Sequence, residues 1–204
     1  MVKKVLMLAV LALALPLAAF ASSGVDITNY GGTLSGNNSG LSLTGSTIKV
    51  VNGLYGGGTD LGSDLGSFAF STGALTSGTL SGGGMFAAGG SFTITGNGTN
   101  GVPNGVIFSG TFSSPVTWTM VTLANGTHNY TLSGAVSGAL GNGYATNGAT
   151  VQLTINTGKG LFNGSTTISS GDTNIVVPEP GTLSLFGTGL IGLAGVIRRK
   201  LSLA

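Results

Sequence analysis

The sequence predicts an all-β fold, an antiparallel β-sandwich spanning residues 22–177. Three observations predict it. Apolar residues alternate with Ser and Thr over short runs, the period of a half-buried strand. No stretch between 22 and 177 sustains a 3.6-residue apolar spacing, and glycine, a poor helix former, interrupts nearly every window. Asn-Gly pairs punctuate the runs, at Asn52-Gly53, Asn97-Gly98, Asn104-Gly105, Asn125-Gly126, Asn142-Gly143, Asn147-Gly148 and Asn163-Gly164. Both residue types tolerate the positive φ that tight hairpin turns demand.

Taken in order, Leu41–Thr44 and Ile48–Val51 read as one strand or a bent pair, and Phe68–Ser71 as a short one. Ser91–Thr95 alternates cleanly. Val106–Phe112 leads into Pro115–Leu123, which puts Val116, Trp118 and Met120 on one face. His128–Val136 follows the Asn125-Gly126 turn. Thr150–Thr157 puts Val151, Leu153 and Ile155 together. Leu161-Phe162, Thr166–Ile168 and Asn174–Val177 complete the series. The half beginning near residue 91 reads as the denser core, and the glycine-richer first half as looser. A β-solenoid is the alternative. Thr33-Leu34-Ser35-Gly36 recurs at Thr79 and Thr131, but at unequal intervals, whereas a solenoid needs a fixed period.

Charge is scarce: 6% of residues are charged, against about a quarter in ordinary soluble domains. The seven basic residues mislead. Lys3 and Lys4 lie at one end, and Arg198, Arg199 and Lys200 at the other. Between them Lys49 and Lys159 face Asp26, Asp60, Asp64, Asp172 and Glu179, two positive charges against five negative, or net −3. Such a body lacks the basic stripe that binds phosphate backbones, so no nucleic-acid partner is expected. With no cysteine there is no disulfide framework, thiolate nucleophile or cysteine-based metal site. Nothing calls for a cofactor.

The two ends are processing segments. Residues 1–21 read as a secretory signal peptide: Lys3 and Lys4, then an apolar run Val5–Phe20 interrupted by Pro16, then Ala19-Phe20-Ala21. Ala19 and Ala21 supply the small residues that signal peptidase needs for a cut before Ser22. At the other end Val177-Pro178-Glu179-Pro180-Gly181 precedes an uncharged stretch, Thr182–Ile197, slightly short for a helical span. Arg198, Arg199 and Lys200 follow as a basic stop that stays cytoplasmic. The preceding residues then lie outside, in agreement with the signal peptide. The two prolines fix their own φ and bias the residue before each away from helix. Val177–Pro180 is therefore expected to be an extended strip, open to a protease, with the Glu179 carboxylate between the rings.

Pro178-Glu179-Pro180, the glycine-containing span and the Arg198-Arg199-Lys200 cluster, in that order, resemble the PEP-CTERM sorting signal. The resemblance is confined to about residues 177–204 and says little about the body. It implies processing near the Pro-Glu-Pro strip by an exosortase, an integral-membrane cysteine protease. It also implies a Gram-negative host with an exopolysaccharide or biofilm system, a transient inner-membrane intermediate, and delivery to the outer surface or extracellular matrix. The expected organisation is thus a signal peptide (1–21), a β domain (22–177) and a sorting signal with a transmembrane helix (178–204).

Within the body, candidate chemistry is sparse. His128 is the single histidine, and no Gly-x-Ser-x-Gly elbow positions a nucleophile. Glycoside hydrolysis needs two opposed carboxylates, and of the body's acids only Asp60 and Asp64 are sequence neighbours. A non-enzymatic protein is expected. Gly56–Asp64 resembles a calcium-binding Gly/Asp nonapeptide, with Asp60 and Asp64 as the candidate metal ligands, but Gly62 stands where an apolar residue belongs and no second copy follows. A polar loop is the default reading. Trp118, in an alternating strand, reads as core, while Tyr30, Tyr55, Tyr130 and Tyr144 are candidates to stack on sugars. Asn37, Asn97, Asn125, Asn129 and Asn163 each begin an Asn-x-Ser/Thr triplet, here read as polar turns. The functional expectation is a structural surface or matrix protein that associates with exopolysaccharide through hydrogen bonds and weak stacking. A secreted carbohydrate-binding module is the alternative.

Overall fold

The computed structural model describes residues 24–143, 146 and 148–176. Both processing segments lie outside this range. The described body is all-β, and every strand pairing in it is antiparallel.

Most of the chain is organised as long strands bent at a corner. β1 (Gly24–Tyr30) and β2 (Thr33–Asn37) lie end to end along the 13-residue β3 (Gly40–Asn52). Gly31 and Gly32 separate them, both at positive φ, and a Cβ on Gly32 would come within 2.6 Å of the Ser46 nitrogen. Only glycine allows so close a turn. β4 (Thr59–Leu61) pairs with the far end of β3. β5 (Gly66–Ser71) continues into β6 (Leu75–Thr79), β7 (Gly83–Phe86) into β8 (Gly89–Asn97), and β9 (Asn104–Phe112) into β10 (Val116–Thr122). β11 (His128–Leu140) is unbroken, like β3. β12 (Ala149–Asn156) follows, then β13 (Ser165–Thr167) and β14 (Ser170–Val176), another pair in line.

Eight strands close into a barrel in the order β1-β3-β5-β8-β9-β11-β12-β14, with β14 returning to β1. Two branches leave it where a long strand takes two neighbours in succession on one edge. β3 pairs with β2 and then β1, and β11 pairs with β10 and then β9. The branch β10-β7-β6 grows from the first half of β11, and β2-β13 from the first half of β3. One continuous sheet therefore replaces the two-sheet sandwich expected from sequence. Alternation fixes which side chains face inward; the corners and the two long strands decide that the sheet closes on itself. Closure leaves the ring of eight strands without a terminal strand, while the two branches end at β6 and β13. The solenoid alternative is also overturned. Its recurring phrase falls at unrelated places: on β2, at the end of β6 and its turn, and inside β11.

The core draws on both halves of the body. Phe68, Phe70, Phe92, Phe108 and Phe112 are all buried. They form an edge-on network with centroids such as Phe68–Phe92 at 5.0 Å and Phe92–Phe108 at 5.8 Å. A second cluster holds Trp118 stacked on Tyr130 at 4.9 Å, with Phe162 edge-on to Trp118 at 5.4 Å. Its polar atoms are satisfied. Trp118 Nε1 donates to the Leu80 carbonyl at 2.8 Å, and the Tyr130 hydroxyl donates to the Ser81 carbonyl at 2.6 Å while accepting from the Phe162 N–H at 3.0 Å. These bonds latch the β6–β7 turn onto the aromatic cluster.

Candidate functional site

On the outward face of β1, β14, β12 and β11, cross-strand register builds two polar rows. Thr28, Asp172, Gln152 and Ser133 stand side by side in one; Asp26, Asn174 and Thr150 form the next. The rows arise because each strand alternates, with apolar or small residues turned inward and hydroxyl, amide or carboxyl residues outward. Thr28 Oγ1 donates to Asp172 Oδ1 at 3.3 Å. Asp26 is the diagonal neighbour of Asp172. Partial burial raises its carboxyl above the usual range, and the Asp172 charge and a hydrogen bond to Asp172 add to this. The rows open into a shallow depression of about 430 Å³ lined by Ser133, Thr150, Gln152, Asp172 and Asn174, with Pro115 at its border. The surface offers hydroxyl, amide and carboxyl groups as hydrogen-bond donors and acceptors.

Sequence reasoning misses this acid pair. Asp26 and Asp172 lie at opposite ends of the body, and only the β1–β14 pairing joins them. Their outward position in alternating runs is the one available signal. Of the pair that sequence singles out, Asp60 and Asp64, Asp64 caps the local backbone. Asp64 Oδ1 accepts from the Gly66 N–H at 3.1 Å, and the Asp64 carbonyl accepts from Asn97 Nδ2 and Thr99 Oγ1. The Asp60 carboxylate lies against Gly101, where a Cβ would come within 2.8 Å of Oδ1. Among the described residues no three His, Cys, Asp or Glu side chains gather as metal ligands.

His128 Nδ1 is 3.0 Å from Thr122 Oγ1, its register partner across β10–β11. The Asn37, Asn97 and Asn125 carboxamide oxygens each accept the N–H two residues on, at 2.7, 3.2 and 3.0 Å, the geometry of an Asx turn. Asn129 Oδ1 instead accepts from Asn156 Nδ2 at 2.6 Å. Of the aromatic candidates, Trp118 and Tyr130 are core, as expected for Trp118, and Tyr144 lies outside the described residues. Tyr30 and Tyr55 are exposed, at 60% and 51%. Lys49 Nζ stands 6.0 Å from the centre of the Tyr30 ring, within cation–π range, and donates to the Ser63 carbonyl.

The signal-peptidase residues Ala19, Ala21 and Ser22, the strip Pro178-Glu179-Pro180 and the basic stop Arg198, Arg199 and Lys200 lie outside the described residues. Their relation to the barrel is read along the chain: β14 ends at Val176, and the Pro-Glu-Pro strip begins two residues later. Residues 176–200 match the PEP-CTERM protein-sorting motif. The resemblance read from sequence is thereby supported by an independent comparison over nearly the same residues. The PEP-CTERM match begins at Val176, the last residue of β14. No curated protein and no solved structure matches this chain.

Proposed function

We propose that this chain is an exported structural protein of a Gram-negative cell surface or extracellular matrix, sorted through its PEP-CTERM segment and cut there by an exosortase. The observation that carries the reading is the PEP-CTERM match at residues 176–200. Signal peptidase removes residues 1–21, the stretch 182–197 holds the chain in the inner membrane, and Arg198, Arg199 and Lys200 stop its transfer. The body supports this order of events. Gly24 and Val176, the first and last described residues, are Cα partners across β1–β14. A barrel already complete at Val176 tolerates loss of the residues beyond it.

In this reading the body is not an enzyme. It associates with exopolysaccharide through its rows of hydroxyl, amide and carboxyl groups. Replacing Pro178-Glu179-Pro180 by three alanines should trap the full-length chain in the inner-membrane fraction. Intact mass and fractionation, in hosts with and without the exosortase, measure this; unchanged release with an unchanged C-terminal mass would sink the sorting claim. A secreted carbohydrate-binding module is the second reading, favoured by the exposed rings of Tyr30 and Tyr55. Glycan-array binding that is lost on removing an exposed ring separates that module from a passive matrix component.

A further inference from the structure

The segment Gly53–Gly58 contains a conformational oddity. Four of its six residues are glycine, yet the residue inside its 3-10 turn that adopts a left-handed backbone is Tyr55, at φ 53° and ψ 30°. Left-handed φ is uncommon outside glycine, and more so for a bulky side chain, costing roughly 1–2 kcal/mol. The loop enforces it. Leu54 is buried as an anchor, the Gly53 N–H donates to the Gly58 carbonyl at 3.0 Å, and the Gly57 N–H donates to the Leu54 carbonyl at 2.9 Å. The Tyr55 ring is half exposed, and neither the ring nor its hydroxyl makes an aromatic contact or hydrogen bond with any described residue. Strain held in place by its surroundings is characteristic of sites that meet a ligand.

The chemistry around the ring says which ligand. The loop is uncharged from Gly53 to Thr59. Apart from Leu61, its exposed sequence neighbours are small or polar, unlike the broad apolar patch that a protein partner needs. Beside it stand hydroxyl and amide groups, with Thr59 Oγ1 donating to Asn52 Oδ1 at 3.0 Å. An exposed ring on a loop of small residues and neutral hydrogen-bonding groups matches a pyranose, which has one C–H face to stack and equatorial hydroxyls at its rim. We infer that Tyr55 is a saccharide-stacking residue, displayed by a strained glycine collar to contact a neutral polysaccharide. This rests on the polysaccharide association proposed above and assigns it a residue. Tyr30, by contrast, already has the Lys49 ammonium over its ring.

The test uses the full-length chain and two variants on native gels cast with dextran, mannan or a soluble β-glucan. Tyr55→Gly relieves the backbone and removes the ring, while Tyr55→Phe keeps the ring. Expected are a higher unfolding midpoint for Tyr55→Gly together with about tenfold weaker retardation, the scale of one aromatic contact, and near-native retardation for Tyr55→Phe. Retardation of Tyr55→Gly equal to that of the unaltered chain would overturn the assignment and leave polysaccharide association standing. If the unaltered chain is retarded by none of the three polymers, both fail.

Discussion

At the scale of single residues, the informative positions are those where polarity and burial conflict. Asp26 is the clearest. Its carboxyl, partly desolvated and next to Asp172, binds a proton more readily in the folded protein than in the unfolded chain. The associated stability is full at pH values below the ordinary carboxylate range and is lost as pH rises through the raised value. Asp26→Asn removes the titration. It should raise the melting temperature at neutral pH and flatten the acid limb of a stability-versus-pH curve followed by circular dichroism. A variant that melts lower than the parent at pH 7 would contradict this. Tyr130 is the counterpart in the core, where its hydroxyl both donates and accepts. Tyr130→Phe leaves the Phe162 N–H and the Ser81 carbonyl without that partner, and should cost about 1–3 kcal/mol in denaturant unfolding.

At the scale of elements, close strand packing depends on facing glycines. Gly110 and Gly138 are register partners on β9 and β11. A Cβ on Gly138 would collide with the Ser109 carbonyl oxygen and come within 2.8 Å of the Phe108 ring. Gly138→Val should therefore cost at least the roughly 1–3 kcal/mol of an overpacked interior. At Gly160 the nearest atom to an added Cβ is 3.7 Å away, so Gly160→Ala should be nearly neutral and serves as the control. Equal unfolding midpoints for the two variants would refute the importance of this close approach. The elements also show why some strands are hard to see in sequence. Along β1 the inward positions run Val25, Ile27 and then Asn29, which is fully buried and donates to Ser46 Oγ at 2.8 Å. Along β14 they run Gly171, Thr173 and Ile175. Inward polar or missing side chains break the alternation that reveals a strand. β10 and β12 stand out because Trp118, Val151, Leu153 and Ile155 keep the pattern intact.

At the scale of the whole molecule, β14 is the strand that closes the barrel, since it joins β12 to β1. A chain ending at Ser169 would leave both of those strands with open edges, ready to pair with other chains. Such a truncation should aggregate on size-exclusion chromatography, whereas one ending at Val177 should remain monodisperse and retain the β spectrum. If the proposed sorting cleavage occurs, a cut within β14 would remove part of the strand that closes the barrel, whereas a cut beyond Val176 leaves it whole.

Several features are legible in sequence alone, because local physics decides them. The all-β class follows from period-two alternation without helical spacing. Turn positions follow from Asn-Gly pairs, and the glycine of all seven adopts positive φ. The PEP-CTERM segment is legible as a linear arrangement of residue types. Tertiary structure alone decides that the sheet closes into a barrel, that Asp26 meets Asp172, and that Tyr55 rather than Trp118 or Tyr130 presents a strained, exposed ring. Each of these depends on pairings between strands far apart in the chain or on a loop's enforced dihedrals. Alternation tells a side chain which face to take, but it carries no information about which strand will lie beside it.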